Sequence, residues 1–241
     1  MSAQLFQRRR RQERRHRLVR WALAALVVAA LGALVWLVWF SHVLGVRTVQ
    51  VSGTEDLDPQ IVREAADVTL REPLARVDTV AVETRVARLE RVERVSVERR
   101  WPRTVRITVT ERTAIAWTEA AGVRRAVDRF GVDFRTLDKE PKKLVRITTS
   151  ASDPRQRQLA VSAAASVIAR LASDDPGLLE AVRSVDAATR DSVTLELTKG
   201  RTVVWGSATK PEQKLEVLDA LLEIGASEYD VSAPEQPTTR Q

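Results

Sequence analysis

The chain has 241 residues, 39 of them basic and 32 acidic, for a formal charge of +7, and it contains no cysteine. That length allows one or two modest domains, and without disulfides any folded part must be held by apolar burial. The positive charge suggests a nucleic-acid binder until it is located, and its location removes that reading.

Residues 1–20 carry eight arginines (Arg8, Arg9, Arg10, Arg11, Arg14, Arg15, Arg17 and Arg20) against a single acid, Glu13, which is the whole excess. The other 221 residues carry 31 basic and 31 acidic side chains. The charge therefore belongs to a basic tail, suited to contact with anionic lipid, and not to a nucleic-acid-binding face. From Trp21 to Val46 there is no charged residue. About 20 apolar residues span a bilayer core, so residues 21–43 are expected to form a transmembrane helix. Trp39-Phe40-Ser41-His42 offers no small-residue cleavage site, which points to an uncleaved anchor. The arginines precede the span, so the N-terminus is expected in the cytoplasm and everything after it outside.

Beyond the span, Val46 to Val51 alternates as a strand and closes at Ser52-Gly53. Asp58-Pro59 supplies an N-cap and a first-turn proline for a helix with the stripe Ile61, Val62, Ala65 and Ala66. Asp78 caps a second helix, with Val82, Val86 and Leu89 inward and Glu83, Arg85 and Arg88 outside. Val95 and Val97 then share one parity, and Val105, Ile107 and Val109 do the same, on either side of Trp101-Pro102. Period-two alternation marks half-buried strands, and Pro102 belongs in the turn between them. Trp101 is expected to be buried there, so that its loss would leave a cavity. Residues 46–113 thus read as a three-stranded sheet with two helices.

A second region, residues 114–232, reads as mixed α/β, making the whole chain α+β. Val123 to Val127 and Val132 to Thr136 flank an Asp128-Arg129-Phe130-Gly131 turn. Pro154 opens a helix with Leu159, Ala163, Val167, Ile168 and Leu171 on one side. Ser192 to Thr198 and Arg201 to Trp205 meet at Lys199-Gly200. Pro211 starts a helix with Leu215, Leu218, Leu221 and Leu222 inward, and Glu228 to Ser232 closes as a strand. Residues 233–241 read as a flexible tail, which makes Arg240 a tail residue and leaves one edge of the closing strand unpaired.

Chemistry is sparse. The two histidines, His16 and His42, lie in the tail and at the membrane edge, so the exterior has no imidazole base and no His or Cys metal site. Gly206-Ser207-Ala208-Thr209-Lys210 lacks the frame of a phosphate loop. Ser207 and Lys210 could form the Ser-Lys dyad of a membrane-anchored hydrolase of the cell envelope, but that needs a desolvated lysine, and Lys210 is expected on the surface. No catalytic residue, cofactor or small-molecule substrate is expected.

The run REPLARVDTVAVETRVARLERVERVSVERRWPRTVRITVTERTAIAW resembles the POTRA module of the FtsQ/DivIB bacterial division proteins. The matching positions are Pro73, Leu74, Asp78, Val95, Val97, Arg99, Trp101, Pro102, Thr104, Val105, Ile107, Val109, Glu111 and Arg112. DRFGVDF, GRTVVWG, Lys214 and YDVSAP resemble the family's beta domain in the same order. Arg71 departs from the pattern, since relatives often carry glycine there, so the loop before Pro73 is open to a different shape. The resemblance implies a non-enzymatic scaffold of the division septum in the plasma membrane. Its implied partners are two small single-pass proteins, FtsB (DivIC) and FtsL, and its implied role is in septal peptidoglycan synthesis. In relatives the last strand accepts a segment of FtsB by strand addition. Matched here, that partner-binding edge is Tyr229, Asp230, Val231, Ser232, Ala233 and Pro234, and proline at Val231 is expected to harm pairing more than folding.

Overall fold

The computed structural model describes residues 3–40 and 44–241. Helix α1 (Ala3–Phe40) contains a 20-residue apolar stretch, Arg20–Trp39, long enough to cross a bilayer. The expected end of the span at residue 43, and with it His42, lies outside the described residues. The chain divides into two compact units between Glu111 and Arg112, with α1 in the first.

The first unit runs β1 (Thr48–Ser52), α2 (Pro59–Ala66), a one-turn 3-10 helix (Leu74–Arg76), α3 (Thr79–Val86), β2 (Val92–Arg100) and β3 (Thr104–Glu111). Its sheet has the order β1-β3-β2, with β1 parallel and β2 antiparallel to the central β3. Both caps form as their sequence dictates. The Asp58 carboxylate accepts from Gln60 N at 2.8 Å, and that of Asp78 from Ala81 N at 3.0 Å. The alternating valines of β3 fill the core, with Val105 and Ile107 fully buried against Val62, Leu74, Val82 and Val86.

Three expectations are corrected in this unit. Ile61 is exposed, because only Val62 and Ala66 of the α2 stripe face the sheet. Glu83 and Arg85 are not merely solvated. Glu83 accepts from Val97 N of the edge strand β2 at 2.8 Å, and Arg85 donates to Ala66 O at the end of α2 at 2.6 Å. Trp101 is not a core residue. It lies in the β2–β3 turn, joined to Pro102 by a cis peptide bond, and is 54 % exposed. The loop at Arg71 keeps the backbone a glycine would choose, with φ 69°, and Arg71 N donates to Val46 O at 2.8 Å.

The second unit is a nine-stranded sheet in the order β12-β11-β10-β9-β8-β7-β4-β5-β6. In chain order these are β4 (Ala116–Ala120), β5 (Val123–Val127), β6 (Asp133–Leu137), β7 (Val145–Thr148), β8 (Val182–Thr189), β9 (Ser192–Leu197), β10 (Thr202–Gly206), β11 (Glu228–Asp230) and β12 (Thr238–Arg240). Helices α4 (Pro154–Asp174) and α5 (Pro176–Ala181) connect β7 to β8, and α6 (Pro211–Leu222) connects β10 to β11. The core gathers Val167, Ile168 and Leu171 of α4 with Val185, Leu195, Val203 and Tyr229 of the sheet. Leu159, expected on the inward side of α4, is 37 % exposed, and Ala160, Ala164 and Ala165 are buried in that helix instead.

The flexible tail over residues 233–241 is also corrected. Residues 238–240 form β12, paired antiparallel with β11 as Glu228↔Arg240, Tyr229↔Thr239 and Asp230↔Thr238.

Burial ranks two substitutions in the first unit. Ile107→Ala should cost about 2–5 kcal/mol, whereas Trp101→Ala should stay within about 0.5 kcal/mol. Far-UV melts of the two full-length variants in detergent check this, with a clear fall expected for the first alone.

Candidate partner interface

The end of the second unit is built around a tight corner. Strand β10 ends at Gly206, whose φ is +74° and whose absent Cβ would lie 2.7 Å from Ser232 Cβ. Only glycine allows the chain after β11 to pass so closely. Lys210 then takes a left-handed φ of 52° and opens α6 without a side-chain cap. Its ammonium is ion-paired with Glu235, and that hydrogen bond holds the Glu235 carboxyl below its ordinary range. Lys214, one turn on, is 1 % exposed and donates to Trp205 O at 2.8 Å and Ser207 O at 2.7 Å. It thus satisfies carbonyls at the strand-to-helix turn that would otherwise be buried without a donor.

The outermost strands close the corner. β11 lies parallel to β10, and Val231 N extends that ladder to Val204 O at 3.0 Å. β12 covers the other side of β11. Arg240 O accepts from Ser227 N at 3.0 Å and from Ser227 Oγ at 3.1 Å, and the Arg240 guanidinium reaches Glu228 at 3.0 Å. All three residues of β12 are exposed, and among the described residues β12 has no strand on its outer side. A short open edge of this kind can be extended by a strand from another chain.

The six residues singled out from the sequence therefore divide. Tyr229 and Val231 are fully buried and point into the core. Asp230 is half-buried and accepts from Ser232 N at 2.9 Å. Ser232 and Ala233 are exposed and Pro234 is partly so. The expected free edge on residues 228–232 is corrected, because β11 is paired on both sides and the open edge belongs to β12. Proline at Val231 would break a bond inside the domain, so it would not separate pairing from folding. Arg240 is an edge-strand residue and not part of a tail.

Comparison with known proteins gives this corner its context. Residues 44–112 match the FtsQ-type POTRA domain, and residues 115–230 match the C-terminal domain of the cell division protein FtsQ/DivIB. The cell division protein FtsQ of Streptomyces bingchenggensis is 43 % identical over 203 residues, which cover 80 % of this chain and 75 % of that protein. The chain belongs to the FtsQ/DivIB family. The FtsQ of Streptomyces venezuelae is 40 % identical over 206 residues, covering 80 % of this chain and 73 % of that protein. That of Mycolicibacterium smegmatis is 35 % identical over 201 residues, covering 83 % and 59 %.

Within this FtsQ-family chain the two residues of the imagined dyad have other partners. Ser207 Oγ lies 2.7 Å from Thr209 Oγ1, and the Lys210 ammonium goes to Glu235. The desolvated lysine that a dyad needs exists, but it is Lys214, and it contacts the main-chain oxygen of Ser207. Its signal was legible as a lysine among the inward leucines of α6. Among the described residues no group of three or more His, Cys, Asp or Glu converges as a metal site would.

Two substitutions test the electrostatics of the corner. Burial pushes the Lys214 pKa below its ordinary 10.5, with the carboxylates of Asp230 and Glu235 offsetting part of the effect. The folded state gives up this proton before the unfolded chain does. Between the lowered value and 10.5 the unfolded state therefore binds more protons, and stability rises with pH. Lys214→Met abolishes that rise and leaves two carbonyls without a donor, at a cost of about 1–3 kcal/mol. The stability gap between wild type and variant should widen with pH in denaturant titrations. Tyr229 Oη is buried and, among the described residues, has no hydrogen-bond partner. Tyr229→Phe should accordingly raise the denaturation midpoint, with a gain of about 1 kcal/mol.

Proposed function

We propose that this chain is a non-enzymatic scaffold of the division septum, held in the plasma membrane by α1 with residues 1–20 in the cytoplasm and both folded units outside. It binds FtsB (DivIC) and FtsL, and through them helps control septal peptidoglycan synthesis. The observation that carries this reading is the edge strand β12, with three exposed residues and an open outer side at the end of a nine-stranded sheet. Backbone groups of an added strand supply affinity at such an edge, and the neighbouring side chains supply selectivity.

The segment Tyr229 to Pro234 keeps a part in this reading, divided by burial. Ser232, Ala233 and Pro234 reach the surface beside the corner and are in place to touch a partner. Tyr229, Asp230 and Val231 hold the strand on which β12 is laid. The arrangements of Ser207, Lys210 and Lys214 support a scaffold over a Ser-Lys hydrolase, because the buried Lys214 amine donates to main-chain carbonyls and, among the described residues, to no serine hydroxyl.

Deleting residues 238–241 tests the edge directly. The full-length deletion variant should melt close to wild type, since β12 carries no buried side chain. Its capture of FtsB and FtsL on co-purification should fall at least about tenfold, the loss of about 1.4 kcal/mol of binding. Normal capture by a folded deletion variant would place the interface elsewhere. Enhanced capture would mean that the partner competes with β12 for β11.

A further inference from the structure

The first unit has an unexplained end. Trp101 is 54 % exposed, Leu70 60 % and Val80 68 %, although each lies in a turn or at a helix start. Register places these residues at one end of the unit. Arg47 N donates to Arg103 O at 2.8 Å, and Thr48 and Arg100 both pair with Thr104, so the Trp101 turn lies at the end where the chain arrives from α1. Arg71 N bonds Val46 O at 2.8 Å, which brings Leu70 to the same end. Arg99 reaches Val77 O at 2.7 Å, which brings the start of α3, and Val80 with it.

Charge divides along the same axis. The end near α1 carries Arg47, Arg71, Arg99, Arg100 and Arg103 against Glu72, Asp78 and Glu98, of which Glu98 lies 3.7 Å from Arg100. The far end, where β1 and β3 finish, carries six acids, Glu55, Asp56, Asp58, Glu90, Glu93 and Glu111, against Arg88, Arg91 and Arg94, with Arg91 between Asp56 and Glu111. Seven residue steps separate Phe40 from Arg47, at most about 25 Å of extended chain. The cleft beside Trp101 is lined by Val38 and Trp39 of the last turn of α1 as well as by Arg100 and Trp101.

We infer that the Trp101 end of the first unit rests on the membrane surface, with Trp101 and Leu70 in the interfacial layer and the arginines on anionic phospholipid headgroups. A tryptophan has an apolar body and a polar N–H, which suits the headgroup level. Arginine stems can lie along the apolar boundary while their guanidinium groups reach phosphate. The tether keeps this end near the leaflet, and the acidic far end is repelled from it, so the charge division orients the unit upright. The inference needs only that α1 is in a bilayer, and it is independent of strand addition at β12.

The test uses the full chain, whose lack of cysteine permits single-site spin labels at Leu70→Cys and, as a far-end control, Glu55→Cys. In nanodiscs containing phosphatidylglycerol, the label at 70 should collide several-fold less with a water-soluble nickel chelate than the label at 55. It should regain water exposure in Trp101→Ala/Arg100→Glu/Arg103→Glu, and partly in all-phosphatidylcholine nanodiscs. If that variant melts lower, Arg100→Gln/Arg103→Gln with Trp101 kept reads the charge contribution in a folded chain. Equal exposure of the two labels overturns the inference. Shielding that persists unchanged in phosphatidylcholine, or that arises only when other division proteins are added, overturns it as well, the latter in favour of a protein partner.

Discussion

The architecture of the first unit depends on one carboxylate. Glu111 Oε1, at the end of the central strand β3, accepts from the backbone N–H groups of Glu55, Asp56 and Leu57 at 2.5, 3.1 and 2.9 Å. These donors belong to the loop that carries the chain from the sheet onto α2. Without an acceptor, three successive amides would lack a partner where the loop folds over the core residue Leu57. Charge-assisted bonds of this kind are stronger than neutral ones. They fix where α2 begins and hence which side of it meets β3. The next residue serves the second unit: Arg112 pairs with Asp128, a fully buried acid that also accepts from Phe130 N and Val132 N at 2.9 Å. Two adjacent side chains of opposite sign thus anchor one loop in each unit, the β1–α2 loop in the first and the β5–β6 loop in the second.

The second unit shows why its outer strands, and not its broad surface, are suited to recognition. One side of the sheet is a continuous buried row, Val185, Leu195, Val203 and Tyr229, under the helices. The other side satisfies itself with cross-strand polar pairs, such as Ser184 with Glu196 at 2.5 Å and Thr148 with Asp186 at 2.8 Å. A face whose polar groups are already partnered has little to offer a newcomer. A strand edge with an open side still has backbone groups to give.

Much of this was legible in the residues. The caps at Asp58 and Asp78, the valine alternation of β3 and the prolines opening α4 and α6 each led to the element that formed, because each acts locally. What escaped reading was set by tertiary context. In β8 a bulge between Val182 and Ser184 breaks the period of two. β12 is Thr-Thr-Arg with no apolar residue, so no pattern marks it, and it is held by the strand beside it. Trp101 reads as core by size, but the turn geometry carries it outward. The same limit applies to the corner: Gly206, Lys214 and residues 229–234 could be picked out, but which of them face solvent follows from the parity of β11 and its double pairing.

Arg71 has a consequence for reading other chains of this kind. Its left-handed backbone is compatible with glycine and tolerable for asparagine or aspartate, while a β-branched side chain would crowd the main chain. The close approach of Gly45, whose absent Cβ would lie 2.6 Å from Arg71 O, leaves the loop little room to relax. The two positions form a paired constraint. Position 45 must stay glycine because its neighbour is the main chain of residue 71 whatever side chain stands there, and a valine or isoleucine at 71 would mark a rebuilt loop rather than a tolerated exchange.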